Sequence, residues 1–452
     1  METQHIKLLT LLIILLYGHT HGQACTILAD SADRDSSNIA EHASHTIASD
    51  STRTDSTIVR LLREDGITFS HDNNITLLKT GQEKFDDMFC AIKQARHSVH
   101  LEYFNFRNDS IAMLLFNILI EKAKEGIEVR ALYDAFGNSS NNKPLKKKHI
   151  TWLRENGVQI HEFDPIRFPW VNHIFGRDHR KIVVIDGQIA YTGGMNVADY
   201  YIEGTEQVGK WCDMHCRLEG TEVNTLQKIF LKAWEKVTGE SIDGKQYYNG
   251  DSPKHTYKGL KDYALPTAHK MMCGIVNREP HKTPKAVRQF YYHTINAAKD
   301  TMRIINPYFT LIPKIKKAIK RAVKRGVVVQ IMISEPSDIP LTPDCVFYNA
   351  NKMQKAGCQV WVYQPGFHHT KVIMVDGEVC TVGSTNLDAR SLKCDYEANV
   401  AIIDPHVTQQ LTDLFENDKK FSFKLEDGVY KKWRTPWQRF RAWFAHLFSP
   451  FM

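Results

Sequence analysis

What this chain lacks narrows its reading first. It holds nine cysteines, yet no Cys-x-x-Cys pair and no spacing of the zinc-site kind. Cys212 and Cys216 bracket His215, but in a strand that imidazole points away from both thiols. No metal and no cofactor is therefore expected. The other cysteines mostly sit in apolar runs and read as small core residues. Charge of one sign is also scarce: 58 Lys and Arg against 51 Asp and Glu leave a net charge of +7. That suits an anionic surface or substrate without demanding one. The N-terminal apolar run, Leu8–Tyr17, is short for a spanning helix, which needs about 20 residues. With 452 residues, 42% hydrophobic and 24% charged, the composition is globular and the chain is long enough for two to three domains.

The strongest signal is a pattern that occurs twice. His179, Lys181 and Asp186 stand in DHRKIVVIDG; His369, Lys371 and Asp376 stand in HHTKVIMVDG. Each copy is followed by a Gly-x-x-Asn element, GGMN ending at Asn196 and GSTN ending at Asn386. One His-x-Lys pair means little, and a buried structural His is as good a reading of it. A duplicated set with the same apolar run and the same downstream Asn is not a coincidence of that kind. In a strand, residues i and i+2 share a face, so His179 lies beside Lys181 and His369 beside Lys371. The runs that follow, Ile-Val-Val-Ile and Val-Ile-Met-Val, predict strands buried on both sides.

These residue types fit phosphodiester chemistry. Two histidines can serve as nucleophile and as acid–base, since imidazole alone changes charge near neutral pH. Two lysines, the two asparagines and Ser384 of GSTN would hold the non-bridging oxygens, where charge shifts during transfer. Poised histidines lean on a carboxylate, and Asp213 in KWCDMHC and Glu397 in CDYEANV follow the Asn elements in strand-like segments. The expected pairs are His179 with Asp213 and His369 with Glu397. Asp186 and Asp376 complete the two motifs but fall at the far end of each strand, before a glycine turn, where they are expected to fix backbone.

Taken together, LEYFNF (101–106), LYDAFG (132–137), DHRKIVVIDG, YTGGMN, Trp211–Asp213, INPYF, HHTKVIMVDG and VGSTNLDARS resemble the phospholipase D superfamily, and more narrowly the bacterial cardiolipin synthases. The resemblance runs from about Lys79 to the C-terminus. It implies catalytic residues His179, Lys181, Asp186, His369, Lys371 and Asp376, a phosphohistidine on His179, and His369 as the acid–base. The nearly symmetric sequence does not itself assign those two roles. The activity implied is transfer of a phosphatidyl group between two phosphatidylglycerol molecules to give cardiolipin and glycerol. The alternatives are hydrolysis to phosphatidic acid and a secreted nuclease of the same fold. A nuclease would need a basic groove with stacking aromatics, so no nucleic-acid partner is expected.

Along the chain the two halves match segment by segment. FDDMFCAIKQARHSVHLEYFNF answers VRQFYYHTINAAKDTMRIINPYF, and MLLFNILIEKAKEGIEVRALYD answers IPKIKKAIKRAVKRGVVVQIMIS. The fold class expected is α/β: two similar lobes from internal duplication, each a mixed sheet flanked by helices, meeting at one shared site. The expected divisions are a signal peptide or anchor (1–24), a disordered tether rich in Ser, Asp, Thr and Ala (25–57), an N-terminal lobe (58–245), a C-terminal lobe (246–432) and an amphipathic terminal segment (433–452). Lys7, the apolar run and the small residues before Cys25 give a signal-like layout. It is open to cleavage with acylation of Cys25, simple cleavage, or retention as an anchor. Each outcome puts the lobes on the extracytoplasmic face of the bacterial membrane. In the terminal segment Trp437, Phe440, Phe444, Leu447 and Phe448 fall on one helical face, with Lys431, Lys432, Arg434, Arg439 and Arg441 nearby. That pattern fits an interfacial helix on anionic phospholipid; the plainer reading is a helix packed on its lobe.

Overall fold

The computed structural model describes residues 54–167, 176–250, 255–260, 270–339 and 342–446. The expectations for the signal segment, Cys25 and most of the tether, and for Leu447 and Phe448, lie outside these residues. In the first half the strands are β1 (Ser70–Leu78), β2 (Ser98–Tyr103), β3 (Glu128–Asp134), β4 (Gln159–Phe163), β5 (Lys181–Ile185), β6 (Ile189–Gly193), β7 (Lys210–Cys212) and β8 (His215–Glu219). In the second they are β9 (Met271–Arg278), β10 (Thr301–Ile305), β11 (Val328–Ser334), β12 (Gln359–Tyr363), β13 (Gly366–His368), β14 (Val372–Val375), β15 (Val379–Gly383), β16 (Glu397–Ile403) and β17 (Ser422–Lys424).

Read outward from the centre, one half runs β1-β8-β6-β5-β2-β3-β4 and the other β9-β16-β15-β14-β10-β11-β12, with β17 added at the edge. The connectivity is the same in both. The two sheets are not separate, because β1 pairs antiparallel with β9 and fuses them into one 15-stranded sheet. That seam closes two edges that would otherwise be left open. The parallel strands β2-β3-β4 and β10-β11-β12 are joined by helices, among them Ser110–Lys124 and Pro313–Lys324, as parallel pairing requires. Both of these helices stop at a glycine in the left-handed region, Gly126 (φ 87°) and Gly326 (φ 96°), a backbone state costly for any residue with a Cβ.

The motif strands are buried on both faces for a reason visible in their alternation. Val183 and Ile185 pack into the N-terminal core, while Ile182 and Val184 enter a core shared by both halves. In β14, Ile373 and Val375 face the C-terminal core, and Val372 and Met374 face the shared one. Each such side chain contributes roughly 1.5–3 kcal/mol on burial, so the start of each strand is anchored by its own body. Both strands end in a three-residue connection that opens on an Asp-Gly turn, Asp186-Gly187 and Asp376-Gly377, all four residues at positive φ. Asp-Gly is the pair that such a turn favours.

At the C-terminus the helix Pro436–His446 packs Ala442 and Ala445 against the helix Thr342–Gln354. Arg434 and Arg441 both reach the buried carboxylate of Asp344, at 2.7 and 2.5 Å. The helix is therefore docked on its lobe, and it is also amphipathic: Trp437, Phe440 and Trp443 stand exposed. Trp443, rather than the half-buried Phe444, completes the exposed face. Among the described residues no helix is long and apolar enough to cross a membrane.

Candidate active site

The two motif strands start close together, where the halves exchange short pairings. β7 runs parallel to β13, with His368 opposite Cys212. A bridge sets Asp178 opposite Tyr396. The next backbone bonds cross between halves as well: His369 N–H donates to the Cys212 carbonyl at 2.6 Å and His179 N–H to the Tyr396 carbonyl at 3.0 Å. The residue after each partner is the carboxylate, so the acids are swapped between halves. His179 Nδ1 lies 3.1 Å from Glu397 Oε1, and His369 Nδ1 lies 2.6 Å from Asp213 Oδ2. The expected pairing within each half is thus corrected: Asp213 serves His369 and Glu397 serves His179. The pattern along the chain shows which strand carries an acid but not which lobe that strand leans across to.

Both lysines fold back on their own histidines. Lys181 Nζ donates to the His179 carbonyl at 2.5 Å, and Lys371 Nζ donates to the His369 carbonyl and lies 2.9 Å from His369 Nδ1. All of these groups are buried or nearly so, and the field is shaped by that burial. Loss of water lowers Lys181 to about 7 against the pull of Glu397, and Lys371 to about 8 against the pull of Asp213. Burial and Lys371 push His369 down to about 3. Burial and Lys181 also lower His179. Burial alone would raise the two acids, but Lys371 and His369 hold Asp213 below its ordinary range, and His179 and Lys181 do the same for Glu397. The charge of Lys371 acts on His179 and that of Lys181 on His369. The site is one electrostatic unit that disfavours the charged form of both imidazoles.

The remaining expected residues divide. Asn196 and Asn386 are buried, and each has a side-chain oxygen without a partner among the described residues; it is the amide nitrogen of each, not this oxygen, that can donate to a phosphate. Ser384 is different: its hydroxyl donates to Glu397 Oε2 and accepts from Ala398 N–H at 3.1 Å. That corrects its expected place on the phosphate; it braces the carboxylate behind His179. Asp186 and Asp376 are not at the site. Asp186 accepts from the backbone N–H groups of Arg96, His97 and Ser98 at 2.8–3.0 Å. Asp376 takes those of Lys299, Asp300 and Thr301 at 2.8–2.9 Å. A strand advances about 3.3 Å per residue, so five residues past the lysine each lies roughly 16 Å from the histidine end.

Several neighbours were not among the expected site residues, although Phe104, Trp211 and Tyr308 lie in stretches that carry the resemblance. Trp211, Phe367 and Tyr308 surround His369 at ring distances of 5.3–5.7 Å, while only Phe104 approaches His179 among the described residues, at 5.2 Å. Tyr308 is fixed by Asp338 at 2.7 Å. Lys84, fully buried, donates to the Asn196 carbonyl at 3.3 Å and so holds the Asn turn. The strands ending in aromatics at Phe104 and Tyr308 were the available clue; for Lys84, a helix residue, there was none.

Fold and site together define a phospholipase D-type enzyme with two half-sites in one chain. Residues 88–234 and 291–419 match the family described as cardiolipin synthase, phospholipase D-like domain, and the chain belongs to that family. It is 35% identical over 379 residues to the probable cardiolipin synthase YwiE of Bacillus subtilis, covering 83% of this chain and 72% of that one. It is 32% identical over 397 residues to the cardiolipin synthase of Listeria monocytogenes serotype 4b, covering 87% and 79%. Among solved structures, the phosphatidylserine synthase of Haemophilus influenzae shares the fold, with a TM-score of 0.64, 14% identity, and coverage of 87% of this chain and all of that one.

Proposed function

We propose that this chain is a phosphatidyltransferase that makes cardiolipin from two molecules of phosphatidylglycerol and releases glycerol. The observation that carries the reading is the crossed pair of His–carboxylate contacts at the starts of two duplicated His-Lys strands. With each Nδ1 turned to a carboxylate, each Nε2 is left for substrate. His179 Nε2 attacks the phosphorus of the first phosphatidylglycerol, and His369, which takes up a proton at Nε2 as the anionic substrate enters, delivers that proton to the departing glycerol oxygen. The terminal hydroxyl of the second phosphatidylglycerol then loses its proton to His369 and attacks the phosphohistidine, which frees His179. Lys181, Lys371, Asn196 and Asn386 hold the non-bridging oxygens.

The same reading sets the enzyme on anionic phospholipid. Trp437, Phe440 and Trp443 form an exposed aromatic stripe beside Arg439, the composition of an interfacial helix. We place the two lobes on the extracytoplasmic face, tethered through the residues before Thr54; the expected bounds of tether (25–57) and N-terminal lobe (58–245) shift, because the helix Thr54–Glu64 packs Ile58, Val59 and Leu62 into the C-terminal core. The test incubates purified protein with phosphatidylglycerol vesicles and resolves the lipids, with His179→Ala as control. Cardiolipin and glycerol, absent from the control, are the expected products. Phosphatidic acid would make the protein a hydrolase; nicked plasmid with no lipid product would make it a nuclease.

A further inference from the structure

Three arginines leave the C-terminal segment, and they are not alike. Arg434 and Arg441 share the carboxylate of Asp344. The guanidinium of Arg439 has no carboxylate partner among the described residues, and its Nε is buried without a hydrogen bond. It lines a cavity of about 150 Å³ closed by the helix Thr342–Gln354 on one side and the segment Val429–Trp433 on the other. Tyr430 lines the same cavity; its side chain belongs to a residue 7% exposed, and its hydroxyl is also buried and unpartnered. Lys355 and Lys431 stand at the mouth, both exposed. The one carboxylate present, Asp427, already accepts from Gln354 Nε2 at 3.0 Å. Three cations and a spare hydroxyl thus converge on a space larger than the roughly 30 Å³ that a single water takes.

The position of the cavity on its helix says what would fill it. At about 100° per residue, Arg439 projects from the flank between the buried face of Ala442 and Ala445 and the stripe of Trp437, Phe440 and Trp443. Those three aromatics are 59%, 52% and 47% exposed. A bilayer resting on the stripe would bring its phosphates level with Arg439. We propose that this cavity binds the phosphate of a phospholipid headgroup, as a non-catalytic site gripped by Arg439 and Tyr430 with Lys355 and Lys431 at its mouth. The inference rests on the reading that the terminal helix lies on the membrane.

The test uses the full chain and phosphatidylglycerol vesicles in co-sedimentation. Tyr430→Phe keeps size and charge and removes only the hydroxyl; Arg439→Gln removes the unpaired charge. Lys432→Gln, on an exposed neighbour not among the cavity-lining residues, reports general electrostatic attraction. Vesicle affinity is expected to fall about fivefold in Arg439→Gln, from roughly 1 kcal/mol per basic residue at such a surface. A further loss is expected in Tyr430→Phe, and turnover of dispersed short-chain phosphatidylglycerol should not change. Soluble dihexanoyl-phosphatidylglycerol should bind the wild type at a second site lost in Tyr430→Phe, and inorganic phosphate should not replace it. The inference is overturned if Tyr430→Phe binds vesicles like the wild type, if Arg439→Gln loses no more than Lys432→Gln, or if inorganic phosphate binds as tightly. The membrane reading falls separately, if replacing Trp437, Phe440 and Trp443 with Ser leaves vesicle binding intact.

Discussion

The two half-sites are copies in sequence and unequal in space. Among the described residues His179 has one aromatic neighbour and His369 three; their side chains are 16% and 8% exposed. Glu397 behind His179 is braced by Ser384, whereas at the matching position the first lobe has Gly194, where a Cβ would meet Asp213 Oδ1 at 2.2 Å. Asp213 therefore crowds the turn of its own lobe while reaching across to His369. Duplication supplies two like sets of donors, and the packing around them differs. In the mechanism proposed above, the more open imidazole would take the incoming phosphorus and the drier one would carry the proton.

The largest effect should come from separating those tasks. His179→Ala should abolish turnover and leave no phosphoenzyme after rapid quench. His369→Ala should still form the phosphoenzyme from a phosphatidyl ester with a good leaving group, which needs no acid. Label trapped only in His179→Ala would invert the assignment. Next come the crossed carboxylates, whose loss should cost about 10²–10⁴-fold by leaving each imidazole in the wrong tautomer. Glu397→Gln should slow phosphoenzyme formation for any leaving group. Asp213→Asn should slow it for phosphatidylglycerol and be rescued by the good leaving group. Equal rescue of both variants would mean that the acids do not serve separate histidines.

The lysines offer a smaller and graded test. Lys181 sits near 7 and Lys371 near 8 because burial disfavours their charged forms. Both groups have depressed values, so both are charged below pH 7 and lose charge as pH rises, Lys181 first. Affinity for a phosphate analogue such as tungstate should fall between pH 7 and 8 by about fivefold through Lys181 and about twofold through Lys371. Titration calorimetry in two buffers at pH 8 should show proton uptake on binding. Affinity that is flat across this range would show that the bound anion meets lysines already charged throughout.

Much of this was legible in the chain, and the boundary has a physical cause. Strand burial, the shared face of His179 and Lys181, the glycine stops at Gly126 and Gly326, and the backbone role of Asp186 and Asp376 are local. Each follows from period, propensity or turn chemistry within a few residues. The His–carboxylate pairing, the fusion of two sheets at β1 and β9, and the role of Ser384 depend on how the halves dock. Asp213 and Glu397 each stand one residue past a cross-lobe bridge, and no property of either segment alone reveals its partner. The same limit applies to the terminal helix, where packing against Thr342–Gln354 exposed Trp443 and half-buried Phe444.

The motif aspartates give the smallest effect on chemistry and the clearest measure of the duplication. Asp186 and Asp376 each take three backbone N–H groups and add a hydroxyl, from Tyr257 at 2.9 Å and Thr54 at 2.6 Å respectively. Asparagine at either position keeps an acceptor but removes the charge that made those bonds charge-assisted. It also sets an amide nitrogen against one or more donors. Loss of one such buried interaction costs about 1.5–3 kcal/mol, so Asp186→Asn and Asp376→Asn should lower stability by similar amounts. With both histidines far along the strand, kcat in the folded fraction should hold within about twofold. Denaturant unfolding read beside single-turnover rates separates the two quantities. A loss of rate without a loss of stability would place these carboxylates in the chemistry after all, and a marked inequality between them would show that one half of the sheet holds the other in register.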